Sequence, residues 1–336
     1  MKSRFILSTL VLSGGCLLTA AAGPADAYIG RWALTIPGGG AGWLGVTQED
    51  GYLDASILWG GGSVVPVDSV FMDGDTLCVT RNTEITRRPK DGQPARKHVF
   101  SDLVTATATG DTLALVLVHP GADGTAVSRS EFTGKRIPDL PPAPDLKKVK
   151  YGKAEELLNG KDLGGWRLLN PDDTNGWSIL DGALVNDPKK VAGKHLSYGN
   201  IRTDKEFEDF NLSLEVSVPA GGNSGVYLRG IYEVQVLESY GKPVDSHNMG
   251  AIYSRITPSE AAEKKPGEWQ TLDITLVDRH VTVILNGKKI IDNQPLLGCT
   301  GGAMWSDESK PGPIYLQGDH DAVKYRNMVL KPVVKS

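Results

Sequence analysis

Two glutamates, an arginine and two side-chain amides crowd into the stretch Asn223–Glu238, as Asn223, Arg229, Glu233, Gln235 and Glu238. A strand whose outer face only meets solvent carries Thr, Lys or Ser in any order. Carboxylates set beside amides and a guanidinium make a ligand surface instead. The carboxylates can accept or deliver protons, and the amides and guanidinium can hold oxygen atoms of a ligand. Val226, Leu228, Val234 and Val236 alternate between these polar groups, the pattern of half-buried strands with an apolar inner face.

Strand geometry decides which of the polar groups can meet. As one continuous strand, the stretch would place Arg229, Glu233 and Gln235 on one face at period two. Gly230 interrupts the run where a turn residue belongs, so a tight hairpin over Arg229–Tyr232 is the favoured reading. Arg229 then pairs with Tyr232, and Glu233 and Gln235 point to the opposite face. Glu238 has the wrong parity to join Glu233 on a regular strand, and only a β-bulge brings both carboxylates to one side.

The chain that carries this stretch has 336 residues, enough for two domains, and a formal net charge of −4. So weak a charge argues against nucleic acid or an anionic membrane as the main partner. Lys2 and Arg4 precede the apolar run Phe5–Leu12, and Ala25-Asp26-Ala27 is a small-residue cleavage signal. Residues 1–27 therefore read as a signal peptide of a periplasmic or secreted protein. Gly15-Cys16 offers lipoprotein processing as the lesser alternative, because Ser13 stands where a Leu is usual. No apolar run is long enough to span a bilayer. Beyond the leader only Cys78 and Cys299 remain, too few for a disulfide framework and without metal-ligand spacing.

With 40 Gly, 20 Pro and dense β-branched runs, the chain reads as all-β. Residues 28–135 alternate short strands with Asp50-Gly51, Asp73-Gly74, Gly110-Asp111 and Asp123-Gly124 turn signals. This is a meander that closes as a small antiparallel barrel or folds as a sandwich, an accessory module with no chemistry of its own. Ile137–Lys148 concentrates Pro and charge, so residues 136–150 are a semi-rigid linker. Residues 151–336 form the second domain. Phe210–Val218 alternates with Leu212, Leu214, Val216 and Val218 inward, Asn286-Gly287 marks a hairpin, and Lys153–Leu158 is the one plausible helical turn. Strands of this number argue for a two-sheet sandwich.

The second domain also resembles a known family. Leu158–Trp166, Asn223–Arg229, Tyr232–Glu238, Gly250–Tyr253, Lys265–Gln270, Leu316–His320 and Tyr325–Asn327 follow, in order, the motifs of the 3-keto-disaccharide hydrolases. The resemblance implies a concanavalin A-like lectin/glucanase (jelly-roll) sandwich. It also implies action on glycosides oxidised to a ketone at carbon 3. Such a ketone acidifies the carbon-2 proton, so a base can remove it and the aglycone can leave by elimination before water adds back. The route needs a base, a donor to the enolate oxygen and an acid for the leaving group. The candidates are Glu233, Glu238 and His320 for proton transfer. Asn223, Arg229, Gln235, Gln317, Glu215, Tyr253 and His247 are candidates for holding substrate, whereas His195 and His280 read as structural.

Two other readings compete. Glu233-x-Gln235-x-x-Glu238 resembles the Glu-x-Asp-x-x-Glu strand of laminarinase-type glucanases, but Gln235 cannot supply the middle charge of a two-carboxylate glycosidase. A lectin would use the same polar cluster with Trp166, Trp177, Trp269 or Trp305 as stacking platforms. No cofactor is expected. Asp172-Asp173, Asp187, Asp307-Glu308 and Asp319-x-Asp321 offer oxygen ligands for a structural calcium, but none has EF-hand spacing. No dinucleotide fingerprint is present, so a separate sugar 3-oxidoreductase must supply the ketone.

Overall fold

The computed structural model describes residues 23–87, 94–188 and 198–334. The leader features at Lys2, Arg4, Phe5–Leu12 and Gly15-Cys16, and also His195, lie outside them. Among the described residues the secondary structure is entirely strand, turn and bend, and no helix is long and apolar enough to cross a membrane.

The first sheet has nine strands among the described residues, from Gly30–Thr35 to Val127–Arg136, each antiparallel to its neighbours. Residues 67 and 68 bond to both halves of the sheet. Val67 N–H reaches the Ala55 carbonyl at 3.0 Å and Asp68 N–H reaches the Thr80 carbonyl at 3.1 Å. Trp32, Leu44, Ile57, Leu77, Val104 and Leu113 fill its own core. The Asp50-Gly51 turn works because both residues take positive φ, 50° and 85°.

Two further sheets, of eight and five strands among the described residues, follow. Their apolar faces share one core, in which Phe210, Leu212, Leu214 and Val216 belong to the eight-stranded sheet and Val226, Leu228, Val234 and Val236 to the five-stranded one. Burying each such side chain contributes about 1.5–3 kcal/mol, so the alternation seen in sequence fixes which faces meet. Asn286 and Gly287, with φ of 52° and 82°, turn the His280–Leu285 strand into Lys288–Pro295. The expected helical turn at 153–158 is instead a short strand, Glu155–Glu156, paired with Leu330 and Val329. A single helical turn gains too few hydrogen bonds to nucleate, whereas the neighbouring strand end offers partners at once. Cys78 and Cys299 are buried and free, and burial pushes the Cys299 thiol up to about 12.

The segment 137–150 forms no strand, and its backbone is held by both modules. Ile137 N–H bonds the Arg31 carbonyl at 2.8 Å, Arg279 holds the Pro138 carbonyl at 2.9 Å, and Asn293 holds that of Pro144 at 3.0 Å. The modules also share apolar surface, since Ala41, Trp43 and Leu58 sit in the core cluster of the second module. Buried Ser306 joins them directly. Its hydroxyl donates to the Leu34 carbonyl at 3.0 Å and accepts from Gly42 N–H at 2.9 Å.

Beside it the Glu308 carboxyl is buried against Arg279 at 3.3 Å. Burial raises its pKa, and the charges of Arg279, Arg31 and Arg255 oppose the rise. Removing one partner of a buried pair costs about 3–5 kcal/mol, against 0–1 for an exposed pair. Glu308→Ala is therefore expected to lower the melting temperature by several degrees, while Glu84→Ala, which breaks the exposed pair to Lys97, leaves it nearly unchanged. Equal melting temperatures for the two variants would show that the buried pair adds no more stability than the exposed one.

Candidate active site

The stretch singled out by its chemistry is a hairpin of Asn223–Leu228 and Tyr232–Leu237, but its register differs from the expected one by a residue. Leu228, not Arg229, pairs with Tyr232, and Tyr227 therefore faces Glu233. Arg229 is drawn into the turn, where it and Gly230 both take positive φ, 55° and 68°. Ile231 N–H closes the turn on the Leu228 carbonyl at 3.1 Å. A non-glycine residue resists this conformation, and here the guanidinium compensates by bonding the carbonyls of Glu308 and Lys310. Arg229 is thus a turn anchor at the hairpin tip.

The slip puts Asn223, Gly225, Tyr227, Glu233 and Gln235 on one face, opposite the valines and Leu228 of the core. Gly225 has a steric reason to be glycine. A Cβ there would stand 2.2 Å from Glu233 Oε1. The carboxyl therefore lies flat over bare backbone and is only 3 % exposed. Burial pushes it up to about 8, although the Tyr227 hydrogen bond and the His320 charge pull the other way. The Tyr227 hydroxyl lies 2.9 Å from Glu233 Oε2 and 2.8 Å from the Gly301 carbonyl. A phenol has one proton to donate. Both contacts are hydrogen bonds only when Glu233 is protonated, so that it donates to Tyr227 and Tyr227 donates to Gly301.

These groups line a cavity of about 290 Å³ together with Asn200, Tyr253, Tyr315, Gln317, Asp319 and His320. Tyr315 stacks on Tyr227 with ring centroids 4.1 Å apart. Asn200 donates to the Tyr315 hydroxyl at 3.1 Å and accepts from Gly318 N–H at 2.7 Å, which fixes the start of the loop carrying Asp319 and His320. His320 Nδ1 meets Asp319 Oδ1 at 2.7 Å. That bond raises the imidazole's pKa against partial desolvation, and the charges of Asp319 and Glu233 add to the rise. Asn223 Oδ1 and Gln317 Oε1 are buried without a hydrogen-bond partner. Buried acceptors left open cost about 1–3 kcal/mol each, and in a cavity they suit the hydroxyls of an incoming ligand. A larger cavity, about 520 Å³, lies between the modules around Trp43 and Arg255. It lacks any such pairing of a carboxyl with an imidazole, so the smaller cavity is the candidate site.

Several expected site residues are not gathered here. The Tyr232–Leu237 strand pairs without a bulge, and Glu238 lies beyond its end. Its carboxylate faces Gly221 N–H at 3.4 Å and Lys242 at 3.8 Å. Glu215 belongs to the other sheet and is bonded to Arg326 at 2.8 Å and Asn327 at 2.8 Å. Burial pushes its carboxyl up, but those two bonds together with the charges of Arg326 and Lys264 outweigh it and hold the group below the usual range. His247 sits one layer out, edge-on to Tyr253 with centroids 4.9 Å apart. His280 is buried and bonds the Asp278 carbonyl at 2.9 Å. None of the four tryptophans lines the cavity; Trp166 and Trp177 are core residues, and Trp269 and Trp305 carry Arg326 and Lys310 over their rings. Among the calcium candidates, Asp307 bonds the Ser309 backbone and hydroxyl, and no group of three or more His, Cys, Asp or Glu among the described residues is placed to hold a metal ion.

The sequence pattern does not single out Tyr227, Tyr315 or Asn200, and it offers Asp319 only as a calcium ligand. Tyr227 is legible in principle, since a turn of three residues sets it opposite Glu233. Asn200 and Tyr315 arrive from distant strands and carry no local signal.

The profile of the 3-keto-alpha-glucoside-1,2-lyase-like domain matches residues 153–331, over half of the chain. The protein belongs to this family, one of carbohydrate-active enzymes. No curated protein matches the chain. Among solved structures it is similar to three proteins of Parabacteroides distasonis ATCC 8503 assigned as glycosyl hydrolases. One is 30% identical over 57% of this chain and 93% of that one, with a TM-score of 0.45. The second is 22% identical over 54% and 94%, with a TM-score of 0.44. The third is 26% identical over 53% and 98%, with a TM-score of 0.40.

Two outcomes follow from the buried carboxyl. Between its ordinary range and about 8, the folded state holds a proton that the unfolded chain has released, so stability falls as pH rises across that window. Each tenfold difference in proton affinity between the two states is worth about 1.4 kcal/mol, and Glu233→Gln removes this dependence. Its melting temperature should exceed that of the natural protein by several degrees at pH near 8 and match it more closely near pH 5. Parallel melting curves across the range would mean that the carboxyl is not held protonated. Gly225→Ala should displace the carboxyl and cost turnover about 10²-fold while moving the melting temperature little. A fold-wide loss of stability in that variant would assign Gly225 to the scaffold instead.

Proposed function

We propose that the protein cleaves glycosides whose sugar carries a ketone at carbon 3, by elimination across carbons 1 and 2 followed by hydration. The observation that carries this reading is a buried carboxyl with its pKa raised to about 8 sharing one small cavity with a half-exposed imidazole whose pKa is also raised. A group poised near the working pH is the effective form of a general base or acid.

Glu233 takes the carbon-2 proton. The electron pair passes to the carbon-3 oxygen as an enolate. Gln235, whose Oε1 already accepts from Val236 N–H at 3.1 Å, offers its amide N–H groups to that oxygen. The enolate then collapses, the carbon-1–oxygen bond breaks, and the imidazolium of His320 protonates the departing aglycone oxygen. Addition of water across the new double bond restores the sugar. Asn223 and Gln317 hold ring hydroxyls, and Tyr253 borders the ring. Glu233 and His320 feel each other's charge, so they titrate as a pair that holds one proton between two apparent pKa values. Ionised Glu233 with protonated His320 is the productive arrangement of that proton.

The same reading extends to the whole chain. The two facing sheets are a concanavalin A-like jelly-roll sandwich, and residues 28–135 are a small antiparallel barrel or sandwich joined to it through 136–150. Residues 1–27 are an export leader that sends the protein to the periplasm or the medium. Because the reaction begins from a ketone, a separate sugar 3-oxidoreductase acts upstream. Glu238 does not line the cavity, so the laminarinase-type pairing of Glu233 with Glu238 is not formed there.

The test is turnover of a 3-keto-glucoside and its unoxidised parent in deuterated water. Cleavage of the keto-sugar alone, with deuterium at carbon 2, is expected. Glu233→Gln should lower both cleavage and exchange by about 10²-fold or more. His320→Ala should lose most activity on alkyl glycosides and far less on nitrophenyl glycosides, whose leaving group needs no acid. Cleavage of the parent without exchange would mark an ordinary glycosidase, and binding without cleavage of either would mark a lectin.

A further inference from the structure

Two residues lining the Glu233 cavity, Gly61 and Gly62, come from the first module and not from the family domain. They belong to a loop that leaves the strand Tyr52–Trp59 and crosses to the second module. Four contacts seat it there. Gly302 N–H bonds the Gly60 carbonyl at 3.2 Å, and Val64 N–H bonds Ser254 Oγ at 2.8 Å. Ser63 Oγ lies 2.9 Å from His247 Nε2. Gly301 and Gly62 touch so closely that a Cβ on Gly301 would stand 2.0 Å from the Gly62 carbonyl oxygen.

The touching rim, Gly301-Gly302, is also the rim of the chemistry. Gly301 accepts the Tyr227 hydroxyl, and a Cβ on Gly302 would stand 2.7 Å from it. Backbone therefore meets backbone directly beside the Tyr227–Glu233 pair, and no ligand passes between them. The cavity of about 290 Å³ falls just below the usual small-molecule range of roughly 300–1,000 Å³.

Ser63 fixes more than its own loop. Asp245 Oδ1 holds His247 Nδ1 at 2.6 Å, so the neutral imidazole keeps its proton there and Nε2 accepts the Ser63 hydroxyl. His247 packs edge-on against Tyr253, a wall of the cavity. The order Asp245, His247, Ser63 has the contacts of a nucleophilic triad, but Asp245 is 59% exposed and the amide after the serine is taken by Ser254. Without a buried acid or a free oxyanion donor, the arrangement is a clamp.

We propose that the loop Gly60–Val64 of the first module is the end wall of the sugar site and sets its specificity. It admits a terminal 3-keto-sugar with a short aglycone and rejects a sugar oxidised within a longer chain. This rests on the reading that the cavity takes a sugar, and the test separates the two.

Binding is measured by titration calorimetry on the full chain in the Glu233→Gln background, with circular dichroism as the check on folding. The probes are methyl 3-keto-glucoside, a disaccharide oxidised on its terminal ring and a trisaccharide oxidised on its middle ring. The terminally oxidised disaccharide is expected to bind about tenfold or more tighter than the trisaccharide. Ser63→Ala, which frees the clamp, should narrow that preference. Gly61→Leu, at a position with open space around its Cβ, should weaken the disaccharide relative to the methyl glycoside by about tenfold. Equal binding of the disaccharide and trisaccharide, or preferences unmoved by both variants, would overturn the proposal. If the preferences hold but the natural protein turns over no keto-sugar, the wall stands and the chemistry falls. If no sugar binds, both fall.

Discussion

A carboxyl group removed from water with no cation bonded to it is the constraint on which the rest of the site depends. Ionising Glu233 in place is costly because burial takes away its hydration, and its hydrogen-bond partner is a neutral phenol. The neighbours are arranged for a proton that comes and goes. Gly225 leaves the space in which the carboxyl lies, Tyr227 can either donate to it or accept from it, and the Gly301 carbonyl holds the phenol when the carboxyl is neutral. Loss of the proton needs only the Tyr227 hydroxyl to turn from the Gly301 carbonyl to the carboxylate. A group built this way can take a proton from carbon, because its ionised form gains by accepting one.

That arrangement depends on a hairpin register, and the register depends on contacts from outside the hairpin. Arg229 accepts a positive φ because the carbonyls of Glu308 and Lys310 engage its guanidinium. The same segment carries Ser306, which joins the Leu34 and Gly42 backbone of the first module, and the Glu308 carboxyl, buried against Arg279. Residues 306–310 thus tie the hairpin tip to the module boundary. A one-residue slip would replace Tyr227 by Leu228 opposite Glu233 and leave the carboxyl without its hydrogen-bond partner. The buried polar groups at the boundary therefore stabilise one register as well as one module arrangement.

Much of the framework was legible from local pattern. The all-β class, the inward valines and leucines, and the Asn286-Gly287 hairpin all follow from period-two burial and from residues that accept positive φ. These are short-range effects, decided within a few residues. The helical turn expected at 153–158 failed because a neighbouring strand edge, distant in sequence, competed for its backbone. Glu238 stands apart from the cavity for a related reason. A bulge was needed to bring it round, and the strand pairs regularly through Leu237.

The sequence by itself determined the residue types available for chemistry, the strand that carries Glu233 and Gln235, and the family to which residues 153–331 belong. Tertiary structure alone decided which of those residues meet. It set Tyr227 against Glu233, brought Asn200, Tyr315 and His320 from separate elements, and turned Arg229 and Glu215 away into structural pairs. It also placed Gly61 and Gly62 of the first module on the cavity wall. The reason is physical. Strand periodicity fixes the face of each side chain from its neighbours along the chain, whereas desolvation, steric room at glycine and hydrogen-bond partnership depend on atoms brought in from other strands.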